Sequence, residues 1–204
     1  TNLNKVCFDY LPYSQKEVVS IYKLFNKNER PARIYLFNEA DESNFKKSLL
    51  SSKYTHVATH GFVNNSMPDM TFLAFSQSTV SKGLSLTSSD SEDNFLFAKE
   101  IYSLTLTSEL VVLSSCESGL GKMMKGEGMM SMARAFSFAG AKNIVFSLFK
   151  VPDKHTKELM VNFYTYILDD KDYADALRKA KLNLITDNMN SLPLFWAGFI
   201  MIGK

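Results

Sequence analysis

The four residues Leu110-Val111-Val112-Leu113 carry no polar side chain, so a strand built from them has to be covered on both faces. In a chain of this size that means a central strand of a parallel sheet with helices packed above and below it. The segment continues through Ser114-Ser115-Cys116-Glu117-Ser118-Gly119, which sets a thiol where the strand leaves the core. A second segment, Thr55-His56-Val57-Ala58-Thr59-His60-Gly61, reads as another strand and ends in an imidazole followed at once by glycine. Two parallel strands of this kind can bring His60 and Cys116 together across the carboxyl edge of the sheet, where open α/β folds place their ligands. That pair is the minimum for cysteine nucleophilic catalysis, because a thiol needs a nearby imidazole to become a thiolate at neutral pH.

The remaining pattern alternates helix and strand. Residues 13–28 space Val18, Ile21, Tyr22 and Phe25 as an amphipathic helix with Ser14 as N-cap. Residues 33–37 alternate as a strand, 41–50 read as a short helix burying Phe45 and Leu49, and 53–59 and 70–75 read as strands. Ser and Thr crowd residues 76–94, which close on Asp90, Glu92 and Asp93; this is a long surface loop or loosely held hairpin. A short helix at 97–104 precedes the strand 110–115. Residues 127–139 form a helix, read as buried around most of its circumference, with a left-handed cap at Gly140, and 143–148 form a buried strand. Helices at 153–168 and 173–188 and a final strand at 195–202 complete one α/β domain over residues 1–204. Its sheet is largely parallel, with helices on both faces.

Composition narrows the function classes. With 204 residues, 46% hydrophobic and 22% charged, the chain is that of a folded domain. A formal charge of +2 and the lack of any long basic run give no footprint for nucleic acid. No apolar stretch approaches the ~20 residues that span a bilayer, and the amino terminus lacks a signal-peptide pattern. The two cysteines, Cys7 and Cys116, read as free thiols of a cytoplasmic protein, since a disulfide would consume the candidate nucleophile. The chain opens on Thr1 and not on Met, which reads as a piece of something longer.

Other candidate sites fall away on spacing. Around Gly121-Lys122 a phosphate-binding loop needs glycine where Cys116 stands and Ser or Thr where Met123 stands, and the third glycine of a dinucleotide fingerprint falls on Met124. The run from Gly119 to Gly128 is better read as a loop behind the nucleophile, and residues 76–94 and 119–126 are expected to be the least ordered parts. His56 precedes His60 by four residues, but on a strand and without the glutamate of a zincin, so it reads as structural. His155 reads as a solvated residue opening a helix, Arg134 as internally paired, and Cys7 has no role. No metal or cofactor is called for.

Several blocks occur in a fixed order. After the His60-Gly61 and Ser115-Cys116-Glu117 segments come Gly126-Glu127-Gly128-Met129-Met130-Ser131-Met132-Ala133-Arg134-Ala135-Phe136, then Ala139-Gly140-Ala141 leading into Asn143-Ile144-Val145-Phe146-Ser147-Leu148, then Val151-Pro152-Asp153, and finally Phe195-Trp196-Ala197-Gly198-Phe199-Ile200-Met201-Ile202-Gly203. From about residue 11 to 203 the chain resembles the CHAT family, caspase-like domains related to separase and commonly found behind tetratricopeptide repeats in bacteria. The resemblance implies a caspase-like three-layer sandwich and a cysteine endopeptidase. His60 and Cys116 would be its catalytic dyad, the Gly61 and Cys116 amides its oxyanion hole, and helical repeats its regulatory partner. Asp153 fits two roles: N-cap of the following helix, or, as the resemblance to separase implies, the residue that binds a basic P1 side chain. Glu117 either adds negative potential for substrate or braces its loop. The alternative is a non-catalytic caspase-like scaffold that binds a partner.

Overall fold

The computed structural model describes residues 11–64, 66–76, 93–114, 116–117, 127–187 and 191–203, with 116–117 and 127–128 described by backbone course alone. In chain order the elements are α1 (Ser14–Lys27), α2 (Glu42–Ser51), β1 (Tyr54–Val57), β2 (His60–Phe62), β3 (Phe72–Ala74) and β4 (Phe95–Phe97). Then follow α3 (Ala98–Ile101), β5 (Leu110–Leu113), β6 (Cys116–Glu117), α4 (Glu127–Phe138) and β7 (Asn143–Ser147). The last three are α5 (Asp153–Leu168), α6 (Tyr173–Thr186) and β8 (Phe199–Gly203).

The central sheet has the order β1-β5-β7-β8. Its first three strands run parallel, and β8 joins antiparallel to β7. Every residue of β5 and β7 is buried, and alternate side chains enter different cores. Val111, Leu113, Ile144 and Phe146 pack with Phe45 and Leu49 of α2, Ile101 of α3, and Met132 and Phe136 of α4. Leu110, Val112 and Val145 pack on the other side with Ile21 of α1, Leu159, Phe163 and Tyr164 of α5, and Leu177 and Leu184 of α6. The result is a mixed α/β sandwich, with a mostly parallel sheet between two helical layers, as a caspase-like fold requires.

A second sheet, of order β4-β3-β2-β6, lies beyond the carboxyl ends of β1 and β5. Its β3 pairs antiparallel with both β2 and β4. Phe72 stacks on Phe62 at 5.1 Å and meets Phe95 and Phe97 at 4.9 and 5.2 Å, forming a small apolar cluster of its own.

Several expectations need correction. Residues 33–37 form no strand: the backbone is extended at Leu36 but turns at Phe37, where φ is 51°, and an alternating pattern without a ladder partner does not make a sheet. Ser14 is the first helical residue and not the cap, its hydroxyl donating to the Leu11 carbonyl at 2.9 Å. The helix expected at 97–104 is shortened to α3, because Phe95–Phe97 is drawn into the ladder with β3. The last strand begins at Phe199, after a 3-10 turn over Pro193–Phe195. The short helix expected at 41–50 is present as α2, capped by Asp41, whose carboxylate accepts from the Asn44 amide at 2.7 Å. Arg134 is on the exposed face of α4, not in its buried stripe. Of the two segments expected to be least ordered, residues 77–92 and 119–126 lie outside the described residues.

At Gly140, just past α4, φ is +112°, and a Cβ there would meet the Leu106 carbonyl oxygen at 2.7 Å. Gly140→Ala should therefore cost about 2 kcal/mol, from the strained backbone and the backbone contact together. In a chain of this length that is a fall of roughly 4–8 °C in the thermal midpoint, to be read by calorimetry.

Candidate active site

The two strands that carry the candidate dyad break in the same place. β1 ends at Val57 and the chain resumes as β2 at His60; β5 ends at Leu113 and the chain resumes as β6 at Cys116. Below the break, partners run from Tyr54↔Leu110 to Val57↔Leu113, and above it they are His60↔Cys116 and Gly61↔Glu117. The register offset is unchanged across the interruption, and the Ser114 amide donates to the Val57 carbonyl at 2.9 Å just past the end of the lower ladder. His60 and Cys116 are therefore direct neighbours in a parallel ladder, on strands about 4.8 Å apart, and the two positions share a face of the sheet. The sequence supplies this arrangement through two equal interruptions, Ala58-Thr59 and Ser114-Ser115, that let both strands leave the central sheet together. Thr59 helps to hold the turn by donating its hydroxyl to the Ala74 carbonyl of β3.

His60 is half-buried and Gly61 is buried. Gly61 is an interior position, paired with Leu73 of β3 on one side and Glu117 of β6 on the other. In a strand the backbone N–H lies in the plane of the sheet, so the Gly61 amide is turned towards one of these two neighbours.

Asp153 is the first residue of α5, and the cap position belongs to Pro152, which makes no side-chain capping bond. The N-cap role considered for Asp153 is thus taken by its neighbour. Its carboxyl is held above the ordinary aspartate range, first by burial and then by the charge of Glu17, while Lys150 and His60 pull it the other way. The strand-end imidazole and this carboxyl are accordingly within electrostatic reach of each other.

His56 is structural, as its strand context predicts, but its partners are not ones the sequence announces. Its Nε2 lies 2.8 Å from Glu17 Oε1 and its Nδ1 lies 3.2 Å from the Tyr164 hydroxyl. Glu17 is only 2% exposed. The tautomer that satisfies all three groups has Nε2–H donating to the carboxylate and the Tyr164 O–H donating to Nδ1. Burial above all, and the Glu17 charge after it, push the Tyr164 hydroxyl well above the usual tyrosine range, so it stays a donor. The available signal for Glu17 was its place one turn before Ile21, an acid on the apolar stripe of α1.

His155 is half-buried instead of solvated, its ring stacked on Phe195 at 3.7 Å and 1°. Cys7 lies outside the described residues, and of Glu117 only the backbone is described, paired with Gly61. Among the described residues no three His, Cys, Asp or Glu side chains group so as to hold a metal ion. No helix among them is long and apolar enough to cross a membrane. A cavity of about 600 Å³ beside Tyr54, Tyr173 and Met201 opens at the start of β1, at the end of the strand away from His60.

Comparison with known proteins gives the site a context. The family model described as "CHAT domain" matches residues 1–204. Tetratricopeptide repeat protein 28 of Mus musculus is 32% identical over 109 residues, 53% of this chain and 4% of the relative. The Homo sapiens protein of the same name is 32% identical over 113 residues, 55% of this chain and 4% of the relative. The chain thus matches a small part of much longer proteins. Both are mammalian, so they lend no support to the bacterial source that the resemblance implies.

The raised pKa of Asp153 carries a sign for stability. Between the ordinary aspartate value and the raised one the folded state holds more protons than the unfolded state, so stability falls as pH rises through that window. Asp153→Asn removes the titration. Its stability relative to wild type should be higher at pH 7 than at pH 4 in urea denaturation; a difference that does not change with pH would contradict the assignment.

Proposed function

Because the chain belongs to the CHAT domain family, of the caspase-like peptidase clan, we propose that it is a cysteine endopeptidase acting through Cys116 and His60 as one domain spanning residues 1–204. The observation that carries the reading is the ladder pair His60↔Cys116. A scaffold has no need to align an imidazole position and a thiol position on adjacent strands at the edge of a sheet. The Cys116 thiol gives its proton to His60, and the thiolate sulfur bonds to the scissile carbonyl carbon. The carbonyl electron pair moves onto oxygen, where the Cys116 and Gly61 amides would receive it. As the oxyanion collapses, the C–N bond breaks and His60 returns the proton to the leaving amine. Water, deprotonated by the same imidazole, then hydrolyses the thioester and frees the enzyme. No step calls on a metal or cofactor.

The Gly61 amide faces a neighbouring strand in the described state, which supports a latent enzyme. To receive an oxyanion from substrate, that amide has to be released by a shift of β6 or β3. Helical repeats are the proposed regulators, since both mammalian relatives are named for tetratricopeptide repeats. The substrate is a protein cut after a basic P1 residue, on the argument that Asp153 lies within reach of His60 and has a burial cost that a guanidinium or ammonium group would offset. Glu117, next to the nucleophile, adds negative potential there. Cytoplasmic placement follows from the same reading, because the Cys116 thiol has to stay reduced.

The test is labelling of the chain with an electrophilic peptidyl ketone bearing Arg at P1, located by mass spectrometry. Labelling should fall on Cys116, vanish in Cys116→Ala, and drop by about 10²–10⁴ in His60→Ala. Labelling at Cys116 that ignores His60 would return the chain to the scaffold reading. A peptide library should then show preference for P1 Arg or Lys, reduced in Asp153→Asn; preference for P1 Asp would remove Asp153 from the specificity pocket.

A further inference from the structure

Taking the peptidase reading above as its basis, we propose that Glu17, acting with His56 and Tyr164, is a positioning residue that holds His60 and Asp153 in one frame. β1 has four residues and, among the described residues, is an edge strand laddered to β5 on one side only. That ladder sets its height against β5 but does not fix its outer side. The second tether is His56, whose ring reaches Glu17 on α1 at 2.8 Å and Tyr164 on α5 at 3.2 Å. The His56 and Glu17 side chains are 9% and 3% exposed, so the joint is shielded from competing water.

Each arm of this joint leads to the site. His60 follows His56 by four residues and keeps the same register with β5–β6, so the backbone carries a displacement at His56 directly to the imidazole. Tyr164 lies on the helix that begins at Asp153, a rigid span of about 16 Å at 1.5 Å per residue. Phe25 of α1 packs edge-on against Tyr164 at 5.6 Å and supports the same joint. Electrostatics agree with the placement: the Asp153 carboxyl is raised first by burial and then by Glu17, and lowered by Lys150 and His60. An apolar trio would fill the same space at less desolvation cost; what a buried hydrogen-bonded cluster adds is a fixed register between elements.

The test uses the whole chain in three variants. Glu17→Ala removes the acceptor, Glu17→Gln keeps an acceptor without its charge, and Tyr164→Phe removes only the hydroxyl. Two readouts are needed. NMR follows the His60 imidazole resonance and the titration midpoint of Asp153, whose charged neighbours are Glu17, Lys150 and His60. Iodoacetamide alkylation of Cys116 across pH reports the dyad, with His60→Ala as reference.

Glu17→Ala and Tyr164→Phe should move the His60 resonance and slow Cys116 alkylation at neutral pH by about tenfold, moving its midpoint towards the ~8.5 of a free thiol. Glu17→Gln should restore most of the rate lost in Glu17→Ala, yet lower the Asp153 midpoint, because a negative neighbour has gone. If all three variants lose thermal stability but leave the His60 resonance and the Cys116 alkylation profile at their wild-type values, the cluster is core packing and the proposal is overturned. If wild-type Cys116 titrates as a free thiol and ignores His60→Ala, the peptidase reading fails, while the NMR arm still decides whether Glu17 positions His60 and Asp153.

Discussion

The parallel ladder between the chain of β1–β2 and the chain of β5–β6 governs the rest of this structure. Two strands leave the central sheet at the same height, skip the same number of residues and pair again in the same register. Lengthening either interruption by one residue would slide His60 past Cys116 and exchange the faces of everything beyond it. Both helical layers serve this alignment, because a strand buried on its two faces cannot shift along its axis without disturbing two cores. The second sheet then closes over the strand ends, with Gly61 held between β3 and β6.

A different kind of constraint operates on the α1–α5 side. Most of that core is aliphatic and aromatic, and tolerates small adjustments of packing. The His56 cluster does not, since removing one partner leaves a buried polar group unsatisfied, at a cost of about 1–3 kcal/mol. One helical layer therefore combines adaptable filling with a single directional joint. That joint lies on the strand that leads into the candidate base and on the helix that carries the candidate specificity residue.

Much of this was legible in the residues. Unbroken apolar runs at 110–113 and 144–146 set the central parallel strands, and Asp41, Gly140 and the 3.6-residue spacing set most of the helices. What escaped the sequence depends on contacts made at a distance. Phe95–Phe97 is too short to declare itself a strand and becomes one only because β3 is beside it. Residues 33–37 carry the alternation of a strand but meet no ladder. Of the site, His60 and Cys116 stood out by residue type and by the glycine next to the histidine. Glu17 did not, because an acid on the face of an amphipathic helix reads as a flank residue until a histidine thirty-nine positions away is seen to bind it.

The brevity of β6 has a consequence for how this sheet breathes. Val111, Val112 and Val145 sit in ladders with neighbours on both sides and no exposed surface, so their amides should exchange with solvent only when the whole domain unfolds. Among the described residues β6 consists of Cys116–Glu117 and is paired to β2 alone, at the end of its sheet. Opening it breaks a short stretch of backbone pairing and leaves both main cores closed, at a free energy far below that of global unfolding. Each 1.4 kcal/mol that a bound partner contributes selectively to the opened form raises its population about tenfold. The strand holding the thiol is thus the part of the fold whose occupancy a modest binding energy can reset, while the scaffold that aims it stays intact.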